Sequence, residues 1–387
     1  MKLAERMSKL GTETAFVVLA KAKQLEAQGR DIVHLEIGEP DFDTPKNIVD
    51  SAVKALNEGW THYGPSAGLP ELRKTIAEEI SETRGVKIDP SQVVVTPGGK
   101  PIMFFAMLAL LNEGDEVIYP NPGFPIYESV INFLGAKSVP IKLREENQFR
   151  LDMNELAKLV TSKTRMIVIN SPQNPTGSVL TEDDLKAIAE IAIKNDIIVF
   201  SDEIYSRILY AGSHKSIYSL KDMPERTIIL DGYSKTYAMT GWRLGYGVMP
   251  ADLAEQVAKL QTNCNSCTAS FTQVAGIEGI KGPQKEVDNM VAEFLKRRNT
   301  VVEGLNNIKN ISCLVPDGAF YVFPNVTRFG LKSAEMADRI LNEAGVAVLS
   351  GTSFGAYGEG YIRISYANSI ANINKALERL DEFFGRL

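Results

Sequence analysis

Short runs of Val, Ile and Leu recur along this chain, separated by stretches whose apolar residues repeat at helical spacing. The runs are Gln92–Thr96, Glu116–Pro120, Lys137–Ile141, Arg165–Asn170, Ile197–Ser201, Thr227–Asp231 and Leu244–Met249. Helical patterns fall between them at Pro101–Leu111, Pro125–Leu134, Met153–Val160 and Thr181–Asn195. Strands alternating with helices predict an α/β fold with a mainly parallel, seven-stranded sheet covered on both faces. After Gly282 the pattern changes. A long charged amphipathic helix (Gln284–Asn306) leads into strands near Ser312–Leu314 and Ala319–Pro324. A helix at Ser333–Ala344, strands at Val346–Leu349 and Tyr361–Ser365, and a closing helix at Ile370–Phe384 complete an α+β module. The N-terminal arm and a helix at Ala15–Gln28 are expected to join that smaller module. The predicted division is 1–38 for arm and helix, 39–283 for the large domain and 284–387 for the small one.

Ligands of an open parallel sheet bind beyond the carboxyl ends of its strands, so the residues that follow each run are the place to look for chemistry. Thr96-Pro-Gly-Gly-Lys-Pro101 opens a helix with two bare glycines, a natural seat for a phosphate. Pro120-Asn-Pro-Gly-Phe-Pro125 presents an aromatic ring, and Asn170-Ser-Pro-Gln-Asn-Pro-Thr-Gly177 presents amides. Ser201-Asp-Glu-Ile-Tyr205 adds a carboxylate and a phenol, and Lys235 and Arg243 follow the run Thr227–Leu230. Each item taken alone also suits a turn or a helix cap. A lysine just beyond a buried strand, however, can lose its proton and attack a carbonyl. Amine, acid, amide, phenol, arginine and phosphate seat together suit pyridoxal 5'-phosphate, an aromatic phosphate that acts as an electron sink.

Bulk properties narrow the field without naming a reaction. The 387 residues are 44% hydrophobic and 23% charged with a net charge of −6, which argues against nucleic acid as a partner. No apolar run reaches the roughly 20 residues that a spanning helix needs, so no membrane partner is expected. The N-terminal stretch has no secretion pattern, and three cysteines suit a reducing cytoplasm. Cys264-Asn-Ser-Cys267 lacks a second pair, so no metal is expected. A Walker loop would need glycine where Val94 stands. The G-x-G pairs at Gly245/Gly247 and Gly358/Gly360 are followed at the required position by Pro250 and Arg363, so neither nucleotide fingerprint is met.

The ordered motifs resemble those of the class I/II aminotransferases, pyridoxal-phosphate enzymes of fold type I. They are Gly38-Glu-Pro-Asp-Phe42, Tyr63-Gly-Pro-Ser-Ala-Gly68 with Leu72-Arg73, Pro97-Gly-Gly-Lys100, Asn121-Pro-Gly-Phe124-Pro-Ile-Tyr127, Asn170–Gly177, Ser201–Tyr205, Ser234-Lys235, Thr240-Gly-Trp-Arg243 and Tyr361-Ile-Arg363-Ile-Ser365. The resemblance implies a role for each residue. Lys235 would carry the cofactor as a Schiff base and move the proton. Asp202 would pair with the ring nitrogen, Tyr205 and Asn174 with the ring 3-oxygen, and Phe124 would lie on the ring face. Gly98, Gly99, Lys100, Ser234 and Arg243 would hold the phosphate, joined by Tyr63 from the other subunit of a homodimer with shared sites. Arg363 would clamp the substrate α-carboxylate, with the Gly38 backbone closing over it. One departure stands out: many relatives have a phosphate-binding serine where this chain has Gly232.

For the substrate pair of L-amino acid and 2-oxo acid, the resemblance is closest to the prokaryotic branch acting on aspartate with 2-oxoglutarate. That branch has a lysine directly after the glycine pair, here Lys100. Aromatic, alanine or kynurenine-type transamination and β-lyase chemistry remain open alternatives on the same fold.

Overall fold

A computed structural model describes residues 1–387. After a two-residue strand β1 (Val33–His34), seven strands build one sheet: β2 (Val93–Thr96), β3 (Glu116–Asn121), β4 (Lys137–Lys142), β5 (Thr164–Asn170), β6 (Ile198–Asp202), β7 (Thr227–Gly232) and β8 (Gly245–Val248). Their order is β2-β8-β7-β6-β5-β3-β4. Strands β4, β3, β5, β6 and β7 pair in parallel, while β8 is antiparallel to both its neighbours. Strand β2 therefore points the same way as the parallel set, and the carboxyl ends of six strands share one edge. The predicted α/β architecture holds, and every predicted run coincides with a strand to within one residue at each end.

Alternation along the strands explains why consecutive positions in the middle of the runs are apolar. Val94, Val117, Val168, Phe200 and Ile228 pack on one face with the helices Lys100–Leu110 and Ala251–Asn265. Val93, Val95 and Ile229 pack on the other face, as do Ile118, Ile167 and Val199. Both faces are covered, so every position of β2, β3, β7 and β8 is buried. The helix Glu182–Lys194 starts with a reciprocal cap: Asp184 N donates to Thr181 Oγ1 at 3.1 Å, and Thr181 N donates to Asp184 Oδ2 at 2.8 Å.

The C-terminal segment departs more from its sequence reading. The helix Lys285–Asn307 and the closing helix Ile370–Gly385 are as expected. The run expected as one strand at Val346–Leu349 is two, β10 (Val346–Ala347) and β11 (Leu349–Ser350), preceded by β9 (Tyr321–Val322) and followed by β12 (Ile362–Ser365). Strand β10 pairs with β1, whereas β11 and β9 flank β12. Ser312–Leu314 reduces to a single bridge from Ser312 to Asn325. The β1–β10 pair ties the N-terminal segment to the C-terminal one, and Val33 and Leu35 share a core with Phe294, Phe320 and Phe383. No helix is long and apolar enough to cross a membrane.

Candidate active site

At the shared edge, β6 ends on Asp202, which is 6% exposed. Tyr127 Oη donates to its Oδ2 at 2.5 Å, and the Ile204 amide donates to Oδ1 at 3.3 Å. Burial pushes the Asp202 carboxyl up to about 6, against the pull of Tyr127, the Ile204 amide and nearby Lys235. Lys235 follows β7 in the short helix Tyr233–Thr236 and donates from Nζ to the Gly38 carbonyl at 2.6 Å. Burial lowers its pKa to about 8, offset only in part by Glu39 and Glu13. A useful fraction of the amine is therefore unprotonated near neutral pH, as a nucleophile requires.

Two strands further on, beyond β8, the turn after β2 is built without side chains. Gly98 has φ +88°, and a Cβ there would lie 2.1 Å from Arg243 Nη2. A Cβ on Gly245 would lie 2.5 Å from both Gly98 C and Gly99 N. The Gly98–Gly99 backbone, at the start of the helix Lys100–Leu110, thus meets the Arg243 guanidinium directly. Arg243 donates to the Thr240 carbonyl at 2.8 Å and to the Pro97 carbonyl at 3.3 Å, and pairs with no carboxylate. Ser234 is buried at the neighbouring turn. The glycine at 232 has a steric reason: a Cβ would lie 2.9 Å from Gly245 Cα, so β7 and β8 leave no room for a serine.

Arg363, on β12, is 3% exposed. Its Nη1 donates to Asn174 Oδ1 at 3.3 Å, its Nη2 donates to the Glu36 carbonyl, and its Nε has no partner. The guanidinium lies between the rings of Tyr321 (4.6 Å) and Phe354 (4.9 Å). No carboxylate neutralises it. Asn174 is held by Asn170, whose Oδ1 accepts from the Asn174 amide at 2.9 Å and whose Nδ2 donates to the Asp202 carbonyl at 3.0 Å. The Tyr205 and Tyr321 hydroxyls are 2.8 Å apart. Phe124 stands edge-on to Tyr127, with ring centres 5.6 Å apart. Lys100 Nζ lies 5.6 Å from the Phe124 ring centre and is ion-paired with Glu13.

The structure thus gathers Lys235, Asp202, Gly38, Asn174, Tyr205 and Arg363 into one linked group, with the Phe124, Lys100 and glycine-turn residues beside it. Tyr63 stands apart, 89% exposed and without hydrogen bonds to the others. Sequence reasoning assigned no role to Tyr127, although it lies one helical turn beyond Phe124 in the same motif. Tyr321 and Glu13 arrive from segments that no local pattern marks, and Glu36 lies two residues before the Gly38 motif.

A half-buried amine of lowered pKa, a buried acid near it and a buried arginine with no ion-paired partner define a site for amine–carbonyl chemistry on a carboxylate-bearing substrate. The sequence model of the family "Aminotransferase class I and II" matches residues 30–380. The aspartate aminotransferase of Pyrococcus horikoshii is 42% identical over 98% of this chain and 96% of its own. The aromatic-amino-acid aminotransferase 2 of Thermococcus litoralis is 41% identical over 92% of each chain. The structure of Thermus thermophilus aspartate aminotransferase with maleate superimposes with a TM-score of 0.95 at 36% identity, covering 99% of both chains. This chain belongs to the class I and II aminotransferases, enzymes that depend on pyridoxal 5'-phosphate. Its residues fit that cofactor: the bare Gly98–Gly99 backbone against Arg243 suits an anion, Phe124 a flat ring, and buried Asp202 a protonated ring nitrogen.

Proposed function

We propose that this aminotransferase moves the α-amino group between L-aspartate and 2-oxoglutarate. When bound, pyridoxal phosphate supplies the electron sink that acidifies the substrate Cα–H and carries the amino group between the two substrates. The Gly98, Gly99 and Lys100 amides, the Ser234 hydroxyl and Arg243 would hold its phosphate, and Asn174 and Tyr205 its 3-oxygen. Phe124 would lie on its face. Asp202, already oriented by Tyr127, would hold the proton of the ring nitrogen. Lys235 Nζ takes the proton from the substrate Cα, a task suited to an amine with a pKa of about 8. Arg363 grips the α-carboxylate in a bidentate pair, with the Gly38 backbone beside it, and burial excludes water from that contact.

The observation that supports aspartate is Lys100, a cation beside the Phe124 ring whose carboxylate partner comes from the N-terminal arm rather than from the fixed core. An acidic side chain drawn out of water needs such a cation. The names of the Pyrococcus and Thermus relatives favour the same reading. The test is Lys100→Met: turnover of aspartate should fall far more than that of phenylalanine or alanine, and equal losses for all three would remove the assignment. A second reading, transamination of aromatic amino acids, is favoured by the Glu13 carboxylate that already neutralises Lys100 and by the name of the Thermococcus relative.

The proposal extends to organisation. The arm and helix (1–38) and the C-terminal module (284–387) would form a small domain against the large one (39–283). The enzyme would be a cytoplasmic homodimer in which each Tyr63 reaches the other subunit's phosphate. Its 89% exposure leaves the ring free for that contact, and Tyr63→Ala should lower cofactor affinity without changing the fold.

A further inference from the structure

The N-terminal arm brings a carboxylate to the cation proposed to select the substrate. Residues Glu5–Lys9 form a short 3-10 turn beside the helix Ile126–Phe133. Gly11 then clasps that helix: its amide donates to Ser129 Oγ at 2.9 Å, and Ser129 Oγ donates back to the Gly11 carbonyl at 3.1 Å. From Ala15 the chain is a helix whose Val18 and Leu25 pack against Ile32, Leu341 and Ala347. The stretch between Gly11 and Ala15 is therefore a strap from the seven-stranded sheet layer to the C-terminal module. Glu13 sits in mid-strap with its side chain 21% exposed, paired to a Lys100 side chain that is 50% exposed. Its charge is felt by Lys235, Arg363 and Tyr321.

The two cations offered to a substrate thus differ. Arg363 has no carboxylate partner, whereas Lys100 has one from its own chain. We infer that Glu13 is a specificity-determining residue, an internal competitor that an acidic substrate side chain must displace from Lys100. This rests on the reading of Lys100 as the distal-carboxylate ligand. With an apolar side chain in place, the Lys100–Glu13 pair stays closed and leaves no unpaired charge facing the substrate. With an acidic one, Lys100 exchanges partners, and Glu13 returns to solvent at little cost because it is on a partly exposed strap. Exchange between half-exposed ion pairs involves small energies, so the competition is worth only about three- to fivefold in affinity.

The experiment is calorimetric binding to the cofactor-loaded enzyme of maleate, an unreactive dicarboxylate, and 3-phenylpropionate, an unreactive apolar monocarboxylate. Glu13→Gln should tighten maleate about three- to fivefold and 3-phenylpropionate by clearly less, through the weak reach of Glu13 to Arg363. Lys100→Met should weaken maleate, and adding Glu13→Gln to it should change nothing further. If Lys100→Met weakens maleate but Glu13→Gln does not tighten it, the competitor role is wrong and the aspartate assignment survives. Equal tightening of both ligands, or tightening that persists without Lys100, also overturns it. If Lys100→Met leaves maleate binding intact, the aspartate assignment itself fails, and the role of Glu13 with it.

Discussion

Two buried arginines divide this molecule into a region that is electrostatically closed and one that is open. Arg84 donates from Nε to Glu203 Oε2 at 2.9 Å and lies 3.5 Å from Asp231 Oδ2. Around them, Ser201 and Ser216 donate to Glu203, His214 Nε2 approaches it at 2.9 Å, and Ser206 donates to Asp231. Arg363 is as deeply buried but has only oxygen dipoles and aromatic faces. Burial lowers the pKa of both guanidinium groups; in Arg84 the two carboxylates reverse the shift, and in Arg363 the phenols and the Glu13 and Glu36 carboxylates, which form no ion pair with it, do not. The closed cluster borders a cavity of about 930 Å³, a size that by itself would suit a ligand. Cavity size is thus a poorer guide here than an unpaid charge: a buried cation without a partner marks where an anion binds, and a countered one is scaffold.

Removing each arginine tests that contrast most severely. Arg363→Met should cost on the order of 100- to 1,000-fold in kcat/KM, with little change in melting temperature, because it removes a substrate contact. Arg84→Met should instead destabilise the fold by about 3–5 kcal/mol in denaturant unfolding, since Glu203 and Asp231 lose their cation, while the remaining folded enzyme keeps its turnover. Reversed phenotypes would sink the distinction.

Adjacent carboxylates sharpen it through pH. Burial penalises the charge of Glu203, but Arg84, His214 and Ser216 outweigh it and hold the group down at about 2. Its stabilising contribution is complete above the unfolded value of about 4.5 and fades as pH falls toward 2. Asp202 has the opposite sign. Raised to about 6, it favours the cofactor-free fold below about 4 and costs stability as pH rises through 6. Asp202→Asn should therefore raise the stability of cofactor-free protein at pH 8, by at most about 3 kcal/mol, and not at pH 4. Glu203→Gln should destabilise at pH 7 and lose that effect in acid. Melting curves at pH 8 and pH 4 check the first, and curves at pH 7 and about pH 2 check the second.

The smallest effect is expected at His34. Burial works against its charge, but Glu36 and Glu26 raise its pKa, and the Glu36 carbonyl also carries Arg363. Stability from His34 should be complete below about 6.5 and disappear as pH rises through its elevated pKa. His34→Gln should cost less than about 1 kcal/mol at pH 5.5 and nothing at pH 9.

Much of this was legible in the chain. The strand runs could be read because both faces of the central sheet are covered, which makes most interior positions apolar, and Lys235 and Asp202 stood at their carboxyl ends. Four helices went unread (Lys46–Asn57, Pro70–Arg84, Ala251–Asn265 and Ser270–Lys281) along with the split of Val346–Leu349 into two strands serving different sheets. A two-residue strand carries no periodicity, and its partner is chosen by packing.

Local order along the chain determined the sheet, the edge where chemistry collects and the residue types available there, because periodicity and turn chemistry act over a few neighbours. Only the folded structure decided which charges are countered. Tyr127 reaching Asp202, Glu13 reaching Lys100 and Arg363 reaching Asn174 instead of an ion-paired carboxylate join segments 75, 87 and 189 residues apart. Pairing depends on distance and burial in space, and neither is encoded in the spacing of residues along the backbone.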